Sequence, residues 1–385
     1  MDDRGRLDRD LRRRADRRHI SVPRRASLTR TIKGGNMAST IVGLDIGKGV
    51  LRAAEIADAG KPKPTLVRYH TLALPPAAAQ RGEVLEQSTV ASALKQLWAA
   101  AGFKSKKVVL GMGNHRVMVR DISVPKMPLA QIKESLPFQV QELLPVPVAD
   151  AILDFYPISG GKTDGGDVIN GLLVAAVKDS VLRNVEAVQE AGLDPVAVDL
   201  IPFALTRALV DNAKGSGTSA LVHIGAVTTM VVIAQDGIPQ FVRIIQSGGD
   251  DTTSALVKAL GIEPGQAEQV KRGFGLNAEG VSADWQPAIT TIASSTNDLI
   301  DSIRNTLSFY VNSRGGARID RVLLSGGGAQ LQGLPKALAD ATRLPVGIPD
   351  SLSRFHIAKS ADGDRLRNEF TEIPVAAGLA LGSRA

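Results

Sequence analysis

Short apolar runs separated by polar turns recur along the chain. The first two, residues 41–44 and 50–56, flank a polar stretch that carries glycine at positions 47 and 49. An apolar run of this length that ends at a turn is typical of a buried strand, and glycine permits the positive φ of a tight turn. The pattern therefore predicts two strands joined by a tight turn, with Asp45 at the end of the first strand.

The same layout returns at residues 220–241. An apolar run leads into an Ile-Gly turn, a second apolar run follows, and Asp236-Gly237 predicts a hairpin into a third strand. Two copies of one strand–turn–strand unit imply two similar halves that face a shared cleft. The glycine- and serine-containing stretch 214–218 predicts the boundary between these halves.

Strand and helix periods alternate over the rest of the chain, which predicts an α/β protein. Gly102 is predicted to cap the first helix, and Pro137 should kink or split the second. The predicted helices cover residues 83–101, 129–144, 178–191, 202–211, 254–260, 266–272 and 287–312. The predicted strands outside the two repeated units cover residues 65–74, 107–112, 151–156, 171–177, 195–199 and 319–325.

Residues 159–167 are rich in glycine and predict a flexible loop tip. Their Gly161-Lys162-Thr163 resembles the end of a P-loop, which is a phosphate-binding turn. Tyr156 stands where the P-loop requires its first glycine, and no helix follows, so we reject this interpretation.

Composition excludes several kinds of site. The 385 residues are 44% hydrophobic and only 4% aromatic, which is compatible with two α/β lobes. Because there is no cysteine, the chain has no disulfide, no thiolate nucleophile and no Cys-ligated metal. The five histidines are scattered, so no close pair predicts a metal site. No apolar run reaches the roughly 20 residues that span a bilayer.

The excess positive charge lies in the first 36 residues. They hold eleven arginines and one lysine against five aspartates, which equals the net charge of +7 of the whole chain. The remaining residues balance, with 34 basic and 34 acidic side chains, and give no electrostatic case for nucleic acid binding. We expect residues 1–36 to be a disordered leader, or not to be translated, because Met37 directly precedes the first strand.

Two further glycine-rich turns precede predicted helices. Ser247-Gly248-Gly249 leads into a helix whose first N–H groups would face a phosphate. Ser325-Gly326-Gly327-Gly328 follows an apolar strand, and glycine at such a place lets the backbone lie against a purine or a phosphate.

These glycine-containing turns, in this order and at these distances, resemble the nucleotide-binding turns of actin, Hsp70 chaperones, sugar kinases and the cell-division protein FtsA. Within that fold the chain is similar to the PilM family of type IV pilus assembly proteins from residue 37 to residue 382. The most specific resemblance is to that family's inserted subdomain. It is carried by Val-Pro-Lys-Met-Pro at 124–128, Phe-Gln-Val-Gln-Glu at 138–142, Leu-Leu-Pro-Val-Pro at 143–147 and Ile-Leu-Asp-Phe at 152–155.

The resemblance implies an α/β protein with the actin-like ATPase fold, in which two RNase H-like lobes surround a nucleotide cleft and carry an inserted subdomain. It implies bound ATP and Mg²⁺, with Asp45 near the metal and no assigned catalytic residue. The implied nucleotide-binding residues are Asp45, Gly47, Lys48 and Gly49 in the first turn, His223, Gly225, Thr228 and Thr229 in the second, Gly248, Gly249, Glu268 and Lys271 beside the next helix, and Gly326, Gly327, Gly328 and Gln330 in the last turn.

The same resemblance implies the domain limits. They are residues 37–120 for the first lobe, 121–197 for the inserted subdomain, 198–215 for a return to the first lobe and the boundary, 216–372 for the second lobe with a helical subdomain at 261–315, and 373–385 for a final return to the first lobe.

Two positions depart from the family pattern. The second phosphate turn usually opens with aspartate, whereas this chain has His223, and a hydroxyl residue commonly stands at the position of Lys48. A neutral imidazole is a poor ligand for Mg²⁺, whereas a lysine pairs directly with phosphate. We therefore expect ATP binding with weak or no hydrolysis, and complete loss of nucleotide binding is the alternative.

The resemblance also implies a role as a cytoplasmic scaffold that its partners hold at the inner membrane. The inserted subdomain would bind the N-terminal peptide of a PilN-like inner-membrane protein through apolar residues within 124–144, and pilus motor and platform components would be further partners. A small-molecule kinase and an FtsA-like filament protein are the alternatives. FtsA-like proteins continue into an amphipathic membrane helix, whereas this chain ends three residues after Gly382, which favours the PilM family. Self-association stays open.

Overall fold

The computed structural model describes residues 40–80, 82–210, 217–277 and 282–382. The predicted leader at 1–36 and most of the predicted boundary at 214–218 lie outside these ranges. The chain forms two compact units: the first runs up to Ala208 and resumes at Leu352, and the second spans Leu209–Ser351.

Groups of strands alternate with helices in the described residues, in agreement with the predicted α/β class. In chain order they are β1 Thr40–Gly47, β2 Val50–Ala57, β3 Thr65–Ala73, β4 Ala79–Gln80, β5 Glu83–Val84, β6 Lys107–Met112, β7 Val117–Pro125, β8 Ala151–Thr163, β9 Gly166–Val177, β10 Asp194–Leu200, β11 Thr218–Ile224, β12 Thr229–Gln235, β13 Ile238–Ile245, β14 Arg321–Ser325, β15 Val346–Gly347 and β16 His356–Ile357.

The described residues also form α-helices, which are numbered in chain order. They are α1 Gln87–Ala101, α2 Leu129–Gln139, α3 Lys178–Glu190, α4 Ile201–Leu209, α5 Gly249–Leu260, α6 Pro264–Phe274, α7 Gln286–Ser313, α8 Leu334–Thr342, α9 Gly363–Asn368 and α10 Ile373–Gly382. None of these described helices is both long enough and apolar enough to cross a membrane.

Several predicted boundaries move once pairing partners are known. The first predicted helix begins only at Gln87, because Glu83–Val84 pairs with Ala79–Gln80 as a short hairpin. Gly102 caps this helix in the left-handed region, as predicted. The second predicted helix ends two residues beyond Pro137, at Gln139, and a 3₁₀ turn at residues 141–143 follows it.

The sheets of the two units repeat one topology, which confirms the repeat seen in the sequence. In the first unit the strand order is β10-β6-β1-β2-β3-β16, and in the second it is β13-β12-β11-β14-β15. Each sheet contains an antiparallel three-strand meander whose first strand pairs in parallel with a later strand, β6 or β14. The Asp236-Gly237 hairpin is also confirmed, because both residues have positive φ between paired strands.

The chain re-enters the first unit earlier than residue 373, the expected position. The short strand β16 pairs in parallel with β3 through His356 and Ile357, so the return begins at Leu352. The last helix, α10, is buried along its whole length against β1, β2 and β6. It therefore forms part of the central core of the first unit.

An antiparallel sheet of order β7-β9-β8 is inserted between β6 and α3, and α2 covers one of its faces. Its core consists of Val124, Ile132, Leu136, Val140, Phe155, Ile169 and Leu173. The predicted flexible tip at 159–167 is wrong, because β8 and β9 continue as paired strands to a turn at Asp164-Gly165. The hairpin also has no following helix, so the P-loop interpretation stays rejected.

Three helices of the second unit form a separate cluster. Leu256 of α5, Ala267 of α6 and both Ala288 and Ile292 of α7 are fully buried against one another. The cluster holds α6 against α5, whose first turn bonds to the Gly225 and Ala226 carbonyls of the β11–β12 turn, where the sequence predicts nucleotide contacts.

Candidate functional site

The first predicted phosphate turn is a two-residue hairpin turn. Gly47 pairs with Val50, so Lys48 and Gly49 form the turn, and Gly49 has a φ of +70°. Lys48 is exposed and Gly49 is half-buried. The tight turn predicted from the two glycines is confirmed.

Asp45, near the end of β1, forms an ion pair with Arg52. Arg52 is its cross-strand partner, with Arg52 Nη1 3.6 Å from Asp45 Oδ2, and Arg52 also donates through Nε to Glu372 Oε2 at 2.5 Å. Burial raises the pKa of the Asp45 carboxyl, the Arg52 guanidinium opposes this rise and Glu372 adds to it. The carboxylate predicted to hold magnesium is thus half of an internal ion pair.

Arg52 is a site residue that the sequence reasoning missed. A two-residue turn that pairs 47 with 50 also pairs 45 with 52, and paired residues of antiparallel strands share a face. The register of the hairpin therefore identifies Arg52 as the partner of Asp45. Gly47 leaves space for the Arg52 side chain, because a Cβ at this position would lie 2.9 Å from Arg52 Nη1.

The second turn, between β11 and β12, is closed by a backbone hydrogen bond. The N–H of Gly225 donates to the Thr228 carbonyl at 2.9 Å, and the buried Thr229 hydroxyl donates to the Ser247 carbonyl at 2.8 Å. His223 lies beside β14, where its Nδ1 is 3.0 Å from Ser325 Oγ. Parallel pairing of distant strands creates this contact, so only the fold reveals it.

The first N–H groups of α5 bond to protein acceptors. Gly249 N–H donates to the Gly225 carbonyl at 2.9 Å, and Asp250 N–H donates to the Ala226 carbonyl at 2.8 Å. The Asp251 carboxylate accepts the N–H of Gly248 at 3.0 Å. This helix start therefore ties the second and third predicted motifs together.

The last glycine turn packs on the same strand end. Gly326 has a φ of +85°, and a Cβ there would lie 2.4 Å from the Ile224 carbonyl oxygen. A Cβ at Gly328 would lie 2.2 Å from the Ile224 side chain. Gly327 and Gln330 are exposed. Three of the four predicted groups of residues thus meet within the second unit.

Glu268 and Lys271 join this assembly from α6. Lys271 is buried, and its Nζ donates to the Gly249 carbonyl at 2.9 Å and to Thr253 Oγ1 at 2.8 Å. Glu268 pairs with Lys271 at 2.6 Å and with Arg272 at 2.7 Å. Burial alone would raise the pKa of Glu268, but hydrogen bonds from Lys271, Arg272 and Thr253 lower it to about 2.

The depressed pKa of Glu268 predicts an acid-sensitive contribution to stability. Above its ordinary value of 4.5 the paired carboxylate stabilises the fold, and this contribution is lost as the pH falls toward about 2. We expect Glu268→Gln to lower the free energy of unfolding by about 1–2 kcal/mol at neutral pH, after allowance for solvent screening. Denaturant unfolding from pH 7 to pH 3 should show the gap closing.

Asp340→Asn is the matched control for this prediction. Asp340 pairs with Lys336 at 2.7 Å on an exposed face of α8, so its removal should leave stability unchanged within error. A Glu268→Gln difference that stayed constant over the whole pH range would contradict the role given to the Glu268 ion pairs.

Comparison with known protein families matches residues 43–384 to the family of type IV pilus assembly protein PilM. The chain belongs to the PilM family. The match covers both described units and the inserted sheet, so it extends well beyond the turns discussed above.

Solved structures place this PilM-family chain in the actin-like ATPase fold. A chain in a PilM–PilN type IV pilus biogenesis complex is 27% identical with a TM-score of 0.78, over 90% of this chain and 99% of that chain. The ethanolamine utilization protein EutJ from Carboxydothermus hydrogenoformans is 14% identical with a TM-score of 0.54, over 99% of this chain and 97% of that chain, and supports the fold alone. The predicted fold class is confirmed.

A more distant similarity links the PilM-family chain to cell division protein FtsA from Bacillus subtilis strain 168. The two are 23% identical over 208 residues, which is 49% of this chain and 47% of FtsA. The chain thus spans about half the length of that relative. The relation to FtsA predicted from the sequence is confirmed.

The family resemblance implies bound Mg²⁺ and ATP. The residues of this PilM-family chain fit ATP better than they fit Mg²⁺. Asp45 does not fit a magnesium ion, because Arg52 already pairs with it, and no three His, Asp or Glu side chains gather as a metal site within the described residues. ATP fits in part: Lys48, Gly327 and Gln330 are exposed in their turns, whereas the α5 N–H groups bond to protein carbonyls.

Proposed function

We propose that this protein is a cytoplasmic scaffold of type IV pilus assembly that binds the N-terminal peptide of a PilN-like inner-membrane protein. The supporting observation is the 27% identity to a chain of a PilM–PilN complex, over 90% of this chain and 99% of that chain. In this proposal the partner holds the scaffold at the membrane, and pilus motor and platform components bind it in turn.

The inserted sheet offers apolar contacts for such a peptide. Phe138 of α2 is 86% exposed, and Leu143 in the following 3₁₀ turn is 37% exposed. A phenylalanine this exposed next to a well-packed core is typical of an interaction surface rather than of a folding contact. Both residues lie in the segment 124–144 that the sequence analysis expects to line the peptide groove.

Phe138→Ala tests the peptide site. We expect it to weaken binding of a synthetic N-terminal peptide of the PilN-like protein at least about tenfold, because buried aromatic anchors carry much of the binding energy of an interface. Isothermal titration calorimetry measures the change. Since the side chain is exposed in the free protein, its loss should leave thermal unfolding unchanged.

Phe309→Ala is the control for this measurement. Phe309 is an aromatic residue on α7 that is 59% exposed, and it belongs to the second unit. Equal affinity of Phe138→Ala and the wild type, or equal weakening by both variants, would contradict a peptide site at α2.

We also propose that the protein binds ATP and hydrolyses it slowly or not at all. The joined turns of the second unit support binding, because they place exposed Gly327 and Gln330 beside His223 and its partner Ser325. Phosphoryl transfer depends on neutralising charge around the γ-phosphate, usually with magnesium. With His223 in place of a carboxylate, and with Asp45 paired to Arg52, these two positions do not offer magnesium the oxygen ligands for that task. The same lack disfavours the small-molecule kinase.

A further inference from the structure

Arg52 lies between two carboxylates of the first unit. Its guanidinium contacts Asp45 on the neighbouring strand and Glu372 just before α10. The three side chains are 20%, 13% and 23% exposed, so solvent screens their charges only weakly. A guanidinium is a permanent cation with five donors, which allows it to serve both carboxylates at once.

The backbone holds these three charges in place. Asp45 and Arg52 are fixed opposite each other by the β1–β2 register, and Glu372 directly precedes a helix that is buried over its whole length. Gly47 leaves the space in which Arg52 lies. The arrangement is therefore built by the fold and is not a chance contact of flexible side chains.

We propose that Arg52 takes the place of a magnesium ion at Asp45, so that this protein binds nucleotide without Mg²⁺. To bind at Asp45, a magnesium ion would have to displace the Arg52 guanidinium, which Glu372 also holds. The two positive charges of the ion would then lie beside the displaced guanidinium. The statement about nucleotide rests on the proposed ATP binding, whereas the statement about Asp45 does not.

Thermal unfolding of the full chain without nucleotide tests the statement about Asp45. We expect the same unfolding temperature in millimolar MgCl₂ and in EDTA, because Arg52 already occupies the position of the ion at Asp45. Asp45→Asn is the control, and it should be equally indifferent to magnesium. A magnesium-dependent rise in the wild type that Asp45→Asn removes would overturn the proposal.

Arg52→Met gives the converse test. It leaves the Asp45 carboxylate without its cation, so we expect magnesium to raise the unfolding temperature of this variant although it has no effect on the wild type. Arg52→Lys keeps the charge and should stay unresponsive. A folded Arg52→Met protein without a magnesium response would overturn the proposal, and the wild-type comparison decides it if the variant does not fold.

Titration with a non-hydrolysable ATP analogue tests the statement about nucleotide. We expect the dissociation constants in MgCl₂ and in EDTA to agree within about twofold, whereas binding at least about tenfold weaker in EDTA would overturn the proposal. An absence of binding in both buffers would contradict the proposed ATP binding instead. In that case the nucleotide-free unfolding experiments still decide the role of Arg52.

Discussion

Gly43→Ala is expected to lower the free energy of unfolding by about 3 kcal/mol or more, because the added methyl group has no space. A Cβ at Gly43 would lie 2.0 Å from the Ala376 carbonyl oxygen and 2.7 Å from the Ala380 nitrogen. Both are backbone atoms of α10, so rotation of a side chain cannot relieve the overlap. Either β1 or the whole helix must move.

Movement of α10 is blocked on its other side. A Cβ at Gly378 would lie 2.0 Å from the Ala204 carbonyl oxygen, which shows that α10 and α4 are also in close backbone contact. The helix thus packs between β1 and α4 with glycine at both contacts. A shift that relieves Gly43→Ala would press Gly378 against α4, and the cost therefore exceeds that of a typical overpacked side chain.

Denaturant unfolding of Gly43→Ala measures the effect, and Gly60→Ala is the control. Gly60 belongs to the same unit and has open space where a Cβ would be added, so its replacement should change stability by less than about 0.5 kcal/mol. A Gly43→Ala protein as stable as Gly60→Ala would show that α10 can move away from β1.

The fold was more predictable from sequence than the site. Apolar runs and the Asp236-Gly237 turn depend on neighbouring residues, and they correctly predicted the two repeated meanders. The β16 pairing depends on a partner strand from a distant part of the chain. The Glu83–Val84 hairpin is local, but strands of two residues are too short to show an apolar pattern. Arg52 lies between these cases, because its pairing with Asp45 follows from the hairpin register once the turn length is known.

The glycines show why the site was harder to predict. A glycine in a turn indicates that another atom approaches the backbone closely, but the sequence does not say which atom. At Gly47 the neighbour is Arg52, at Gly248 it is the Gly225 carbonyl, and at Gly326 it is Ile224. Their roles toward nucleotide remain proposals, whereas their roles in packing are visible in the structure.

Gly326→Ala is expected to weaken nucleotide binding at least about tenfold and to lower the free energy of unfolding of the second unit by about 3 kcal/mol. Gly326 has φ +85° and ψ +167°, a region that side chains disfavour. Its Cβ would also lie 2.4 Å from the Ile224 carbonyl oxygen. The turn that carries Gly327 and Gln330 must therefore leave the end of β11, where it meets His223.

Titration of Gly326→Ala with ATP, together with a phosphate-release assay, distinguishes a lost site from a lost fold. Gly347→Ala is the control, because Gly347 lies in the same sheet and has open space where a Cβ would be added. Peptide binding at Phe138 reports on the first unit and should persist in both variants. Unchanged ATP affinity in Gly326→Ala would show that the nucleotide binds elsewhere. Rapid phosphate release by the wild type would contradict slow hydrolysis and would favour an enzyme that needs no carboxylate at position 223.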